Sequence, residues 1–230
     1  MKYTLHTTAS KLTRAVRACA AVVPAVPLSK RGQSERTCQV LLEATDAGVL
    51  VLSGTDRVMF VRASLGDVDP NNGQLDALAE IAPSLPLPVW LGIVSEIGTH
   101  TYAVQDPDAE VFLEFARGPE GELAVMVTTE SWSRHFEAAH VEPLRGAKMF
   151  KTAHALAELH PRRHLHTFSR SVFLRLGRLV DLTEPTEIMQ LVNTGNTDSD
   201  PVLVHIIGDQ GTWCEVAVKP LKGADAFGGL

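Results

Sequence analysis

Along the chain, a helical spacing of apolar residues is repeatedly followed by short apolar segments that turn residues separate. The first helix is predicted from its N-cap Ser10 to the residue before Pro24, because its apolar positions fall at i, i+3, i+4, i+7 and i+8. Strands are then predicted from Cys38 to Ala44, Val49 to Leu52 and Val58 to Leu65. The first unit is therefore a helix followed by a three-stranded meander.

The same order of elements recurs twice. A second helix is predicted within Leu85 to Ile97, and a third begins near Ser169. The strands that follow these helices are predicted at residues 111–116, 123–128, 132–138, 187–193, 202–207 and 213–218. Helix-then-meander is thus an internal repeat of pattern, although the residues themselves barely match, and the fold class that it indicates is α+β.

The connection after the second meander has two interpretations. The interval 141–166 holds either a strand from Lys148 to Ala153 with a short helix to His160, or one helix that Pro161 ends. A Pro/Gly-containing stretch begins at Pro143, and we place the domain boundary there. The predicted domains are residues 1–142 and residues 143–230.

Composition and cysteine content narrow the class of protein. The 230 residues are 45% hydrophobic and 21% charged, which excludes an intrinsically disordered chain. Three cysteines without a CxxC pair favour reduced thiols and a cytoplasmic protein. The apolar stretch 18–28 is too short to span a bilayer, so no membrane association is predicted.

Basic residues are concentrated on two of the predicted helices. The first helix carries three of them and the third helix another three, whereas the rest of the chain has 15 basic and 27 acidic residues. They are Lys11, Arg14, Arg17, Arg170, Arg175 and Arg178. Any single basic helix face is usually just solvated. Two of them on an acidic chain with a net charge of −6 fit binding to duplex phosphates, which needs cations at no particular spacing.

No catalytic or metal-binding motif is present in the sequence. It has no Gly-rich phosphate loop, no GxSxG and no HExxH. His154, His160, His164 and His166 form a cluster, but Pro161 prevents them from sharing one helical face. We predict no enzyme activity, no catalytic residue, no metal and no cofactor.

Several segments resemble a known family. Residues 1–5 (MKYTL), 40–44 (VLLEA), 48–50 (GVL) and 52–56 (LSGTD) look like the opening of the bacterial DNA polymerase III beta subunit, the sliding clamp. Residues 200–204 and 216–222 resemble that family's final strands. The match is good over residues 1–65, fair over 169–222 and poor between them.

The resemblance implies a DNA-clamp fold of pseudo-symmetric domains, with helices inside and sheets outside a ring around double-stranded DNA. It implies that the six cations named above face DNA, with Lys30 and Arg31 as weaker candidates. It also implies a hydrophobic pocket for peptides of partner proteins, to which Val218, Pro220 and Leu221 correspond. The implied partners are a DNA polymerase and a clamp loader.

The chain departs from the family in length and at one pocket position. The bacterial protein has three domains and dimerises, whereas 230 residues allow two, so that a homotrimer would supply six. The second domain is short for the fold, which indicates that one of its repeat halves is trimmed. A phage origin would suit such a shortened clamp. Lys219 stands where the family has an apolar Met.

Two other functions fit the sequence. Residues 74–78 (QLDAL) resemble the short peptide with which partners bind bacterial clamps, so the chain could be a monomeric adaptor or inhibitor that binds a clamp. The basic helices could also serve a monomeric processivity factor that holds DNA without encircling it. A ring requires self-association, and both alternatives predict a monomer.

Overall fold

The computed structural model of the protein describes residues 2–26, 35–67, 74–100, 108–119, 121–139, 141–142, 147–158, 168–180, 188–192, 200–209 and 211–220. The chain begins with a strand that runs directly into a helix, and an antiparallel meander follows. These elements are β1 (Lys2–Thr8), α1 (Ala9–Val22), β2 (Gln39–Ala44), β3 (Val49–Thr55) and β4 (Met59–Asp67). The predicted first unit is confirmed, except that Cys38 lies in a short 3₁₀ helix before β2.

The N-cap of α1 is Thr8, two residues earlier than predicted. Its backbone is extended, and its hydroxyl oxygen accepts a hydrogen bond from the backbone N–H of Lys11 at 3.4 Å. Ser10 lies within the first turn. At the other end, Val23 leaves the helical conformation because it precedes Pro24, which disfavours helical backbone in that position.

The second unit begins with the short helix α2 (Gln74–Ile81) and the short strand β5 (Ser84–Pro86). A helix and three strands complete it: α3 (Leu87–His100), β6 (Glu110–Arg117), β7 (Leu123–Thr128) and β8 (Ser133–Ala138). The third unit is α5 (Arg170–Val180) with β9 (Ile188–Val192), β10 (Val202–Gly208) and β11 (Gly211–Val218). A helix followed by an antiparallel meander therefore occurs three times, as the sequence predicts.

One further helix, α4 (Ala147–Glu158), precedes the third unit. It resolves the ambiguous interval in favour of the single-helix interpretation. Phe150 and Ala153, one turn apart, are buried against Leu203 of β10 and Ala217 of β11. Burial of this apolar face against the sheet gives the segment its helical conformation. The boundary that the sequence predicts at Pro143 falls outside the described residues and stays a prediction.

In the part of the chain that the structure describes, all the strands pair antiparallel and form two sheets. One sheet has four strands in the order β1-β6-β7-β8, and the other has seven in the order β5-β2-β3-β4-β11-β10-β9. The larger sheet is continuous because β4 pairs with β11, from Met59 opposite Val218 to Ala63 opposite Cys214. The meander of the third unit is thus an extension of the sheet that the first unit begins.

The main core lies on one face of each sheet and on the apolar sides of α1, α2, α3 and α5. Trp90 is fully buried there, and its indole N–H donates to the carbonyl oxygen of Val40 at 3.1 Å. The small cluster under α4 lies on the opposite face of the seven-stranded sheet, because Leu203 and Ala217 alternate with residues of the main core.

The cysteines are free and buried. Within the described residues, no helix is long and apolar enough to cross a membrane.

Candidate nucleic-acid interface

The cations of α1 occupy two different environments. The helix buries Leu12 and Val16 in the main core and presents Lys11 and Arg17 to solvent. Arg14 lies between them but is only half-exposed, and its guanidinium carbon is 4.5 Å from the centroid of the ring of Trp213. Cation–π stacking on this buried tryptophan ties α1 to β11. Two of the three predicted cations of α1 are therefore fully presented to solvent.

The cations of α5 divide in the same way. The helix buries Leu176 and Leu179, whereas Arg170 and Arg178 are exposed. The guanidinium of Arg175 instead forms an ion pair and a hydrogen bond with Oδ2 of Asp56, and the two side chains are only 22% and 18% exposed. Arg175 thus lies at the interface between α5 and the rest of the protein.

Asp56 is well placed to hold Arg175. It lies in the turn between β3 and β4, where its Oδ1 accepts from the backbone N–H groups of Val58 at 2.9 Å and Met59 at 2.7 Å. One carboxylate oxygen therefore holds the turn, and the other holds Arg175, 119 residues away in the sequence. The spacing of basic residues on α5 contains no signal of this partner, so the sequence groups Arg175 with the exposed cations.

The two basic helices are neighbours in the fold, since α1 contacts α5 as well as α3. Neither α1 nor α5 contains an acidic residue. By contrast, α3 carries Glu96, which pairs with Arg134 of β8. The exposed cations on the adjacent helices are Lys11, Arg17, Arg170 and Arg178. These four form the candidate nucleic-acid interface.

The remaining predicted positions lie elsewhere. Lys30 and Arg31, the weaker DNA candidates, and Leu221 of the predicted peptide pocket lie outside the described residues. Val218 is fully buried in the main core, and Pro220, two residues later in the sequence, is also buried. In the described part of the chain, neither of these two residues offers an exposed wall to a peptide.

The peptide-like segment 74–78 is helical, not extended. It forms the first turns of α2, in which Leu78 and Ile81 are buried in the main core while Leu75 is 38% exposed. A linear motif must expose its anchor residues to a partner. The burial of Leu78 therefore weakens the adaptor interpretation, because release of this residue would require α2 to leave the core.

The histidine cluster of the sequence is only partly described, since His160, His164 and His166 lie outside the described residues. His154, on α4, instead lies near His205 of β10 and Glu215 of β11. The sequence pattern does not connect these two residues with His154. Burial on its own would raise the pKa of the Glu215 carboxyl group, but the neighbouring imidazoles of His205 and His154 lower it below its ordinary value.

Solved structures share this architecture. A putative DNA polymerase III beta subunit from Eubacterium rectale superposes with a TM-score of 0.57 over 96% of this chain at 8% identity. The Helicobacter pylori beta clamp gives 0.59 over 95% at 12% identity, and the Thermotoga maritima beta subunit gives 0.54 over 97% at 11% identity. The protein has the fold of a sliding clamp.

The clamp fold confirms the fold class and the family resemblance predicted from the sequence. The chain is shorter than the solved clamps. The chain spans 65% of the Eubacterium rectale and Thermotoga maritima proteins and 66% of the Helicobacter pylori protein. No protein-family model matches the chain, and no curated protein sequence does so either. At 8–12% identity, these structures establish the clamp fold alone.

We expect Arg175 to contribute to stability and Arg178 to contribute little. Arg175→Met should lower the free energy of unfolding by about 1.5–3 kcal/mol, because it removes a hydrogen bond between charged groups and leaves Asp56 largely buried without its cation. Arg178→Met, on an exposed residue of the same helix, should change it by less than about 0.5 kcal/mol. Urea unfolding measures both variants, and equal effects would contradict the anchoring role of Arg175.

Proposed function

We propose that this protein is a sliding clamp that encircles duplex DNA and tethers a DNA polymerase, without catalytic chemistry of its own. The observation that carries the proposal is the juxtaposition, on a clamp fold, of two neighbouring helices whose exposed charges are all positive. A clamp loader would place it on DNA, and the free cysteines fit a cytoplasmic protein.

The chemistry of the interface suits movement along DNA. Lys and Arg contact phosphates without reading sequence, and each contact is weakened by salt. Neither α1 nor α5 contains the Asn or Gln that would read adenine in the major groove. Attraction of this kind keeps DNA near the helices at every register. Retention then depends on the closed ring and not on the strength of any one contact.

The edge strand β9 supports self-association. Its pairing partner in the described residues is β10, and Ile188, Met189 and Leu191 are exposed on it by 62%, 38% and 55%. Its counterpart in the second unit, β6, lies between β1 and β7 and buries its alternate apolar residues. An exposed apolar edge strand is a ready site for another chain. We assign β9 to the contact between copies.

The proposed ring is a homotrimer, in line with two domains per chain. The described part of residues 143–230 contains one helix-and-meander unit, whereas residues 1–142 contain two. This supports the predicted trimming of the second domain. A non-encircling processivity factor remains the second candidate, since exposed cations would serve it equally; assembly and DNA topology separate the two.

The ring predicts a solution mass of about three times 24.9 kDa by light scattering across a dilution series. Ile188→Lys with Leu191→Lys should reduce the mass to that of a monomer, because charge on β9 opposes strand pairing. Met126→Lys, at an exposed apolar residue of the central strand β7, should leave the mass unchanged. A stable monomer for the unaltered protein would rule out the ring, and a mass of four chains would rule out the trimer.

Charge reversal tests the interface. Arg17→Glu with Arg178→Glu should abolish binding to a labelled duplex in fluorescence anisotropy at moderate salt, because two phosphate-binding cations become repulsive. In the milder pair Arg17→Ala with Arg178→Ala, the slope of log affinity against log salt should fall by about 0.9 for each phosphate that the protein no longer neutralises.

The matched control changes the net charge by the same amount elsewhere on the surface. Lys151→Glu with Lys219→Glu alters exposed residues on α4 and after β11, and it should bind DNA almost as well as the unaltered protein. Circular dichroism verifies that both charge-reversal variants are folded. Equal loss of binding in the two variants would show that overall charge, and not the α1–α5 interface, governs DNA binding.

A further inference from the structure

Three potential metal ligands converge on the face of the seven-stranded sheet that α4 covers. Nε2 of His154 lies 3.3 Å from Oε2 of Glu215, and Nε2 of His205 lies 3.3 Å from Oε1 of the same carboxylate. One donor atom from each of the three residues lies within 4.8 Å of the other two. These residues come from α4, β10 and β11, and among the described residues they form the one such group of His, Cys, Asp and Glu.

The strand register brings two of the donors together. His205 and Glu215 are directly opposite each other on β10 and β11, on the face away from the main core. A bulge between Ile206 and Ile207 shifts the register of this hairpin. If the register of the pair Ile207–Thr212 continued without a bulge, Cys214 would lie opposite His205. Because of the bulge, Glu215 lies there instead. Helix α4 then supplies His154 from above the sheet.

The donor set and its spacing fit a zinc-like ion. Two imidazole nitrogens and a carboxylate are a common protein ligand set for zinc, with water in the fourth position. With metal–ligand distances of about 2.0–2.2 Å, two ligands of a tetrahedral ion lie about 3.3–3.6 Å apart. Each imidazole nitrogen lies at the lower end of this range from one oxygen of the Glu215 carboxylate, that of His154 from Oε2 and that of His205 from Oε1. The side chains of His154, His205 and Glu215 are 44%, 21% and 25% exposed, so that the group is partly buried and still reaches solvent.

One donor atom has an ion pair but no hydrogen bond of good geometry. Nε2 of His205 is buried, and it makes no hydrogen bond of acceptable geometry within the described residues despite its 3.3 Å distance from Glu215. A buried polar nitrogen without a hydrogen bond is costly, and a bound ion removes that cost.

The cation paired with Glu215 in the strand register is directed to other groups. Arg62 of β4 lies opposite Glu215 in the strand register. Its Nε is 3.6 Å from Oε1 of Glu43, and its guanidinium carbon is 4.2 Å from the centroid of the Phe150 ring. The ion pairs of Glu215 in the described residues are with the two imidazoles. Each oxygen of the carboxylate is therefore paired with one of the two imidazoles.

We propose that His154, His205 and Glu215 bind one zinc-like divalent cation that fastens α4 to the β10–β11 hairpin. The apolar cluster under α4 is small: among the helix residues whose burial the structure describes, Phe150 and Ala153 are the two fully buried against the sheet. A metal bridge between helix and sheet adds an attachment beside this cluster and next to the β4–β11 pairing. The role proposed for the ion is attachment of α4 to the sheet, and the site is separate from the candidate nucleic-acid interface on α1 and α5.

The test uses the full chain, freed of metal with a chelator, and Zn²⁺ as the probe. Competition with a chromophoric chelator should show one zinc ion bound per chain. Zinc at about 100 times its dissociation constant should raise the melting temperature by about 5–10 °C. His205→Gln and Glu215→Gln should each weaken zinc binding by more than about 100-fold, since even partners outside the ligand shell are often worth 10- to 100-fold.

Two control variants make the result specific. The triple variant His160→Gln, His164→Gln and His166→Gln removes the other histidines of the sequence cluster and should keep full zinc binding. His135 and Glu137 form an exposed imidazole–carboxylate pair at 3.4 Å, which could offer a metal only two ligands. His135→Gln breaks this pair, and the variant should also bind zinc normally.

Circular dichroism of the metal-free variants verifies that they are folded. Should His205→Gln or Glu215→Gln not fold, His154→Gln, which alters the most exposed of the three ligands, takes its place. Absence of zinc binding by the unaltered protein would overturn the proposal. Undiminished binding by folded ligand variants would overturn it too, as would loss of binding in the triple variant alone.

Discussion

The pairing of β4 with β11 is the interaction on which the rest of the structure depends. These strands are about 150 residues apart in the sequence, yet their backbone hydrogen bonds join the first and third units into one seven-stranded sheet. Lys219 extends the connection, because its N–H donates to the carbonyl oxygen of Val58 at 2.9 Å. This joint brings α5 beside α1 and sets Trp213 beneath Arg14. This backbone pairing thus sets the relation of the two basic helices, and their own contact and the Arg175–Asp56 ion pair reinforce it.

The basic residues of the two helices therefore have two different roles. Arg14 on Trp213 and Arg175 on Asp56 hold the helices to the sheet and to the β3–β4 turn. Lys11, Arg17, Arg170 and Arg178 remain at the surface. A cation committed to an internal partner is poorly available to a phosphate, so the exposed four are the better candidates for DNA contact. The anchored two hold α1 and α5 in place, and these neighbouring helices carry the exposed four.

Local pattern predicts much of the fold and less of the site. Apolar periodicity is a property of each segment, so it identified the three helix-and-meander units. It misplaced the start of α1, where Thr8 caps the helix instead of Ser10, and it left α4 open because that helix forms on a surface built by distant strands. Ion pairs such as Asp56–Arg175, and the bulged register that sets His205 opposite Glu215, depend on the tertiary structure and have no local signal.

In the proposed clamp, topology and not affinity retains the protein on DNA. The ring is dissociated by dilution and re-formed by concentration around a circular plasmid, a step that takes the place of the loader. The complex is then passed through a sizing column at moderate salt before and after one cut linearises the plasmid. The account predicts retention on the circle, loss after the cut, and restored retention when both ends of the linear DNA are blocked by bulky protein. Equal retention on circular and open-ended linear DNA, or no retention on the circle, would contradict it.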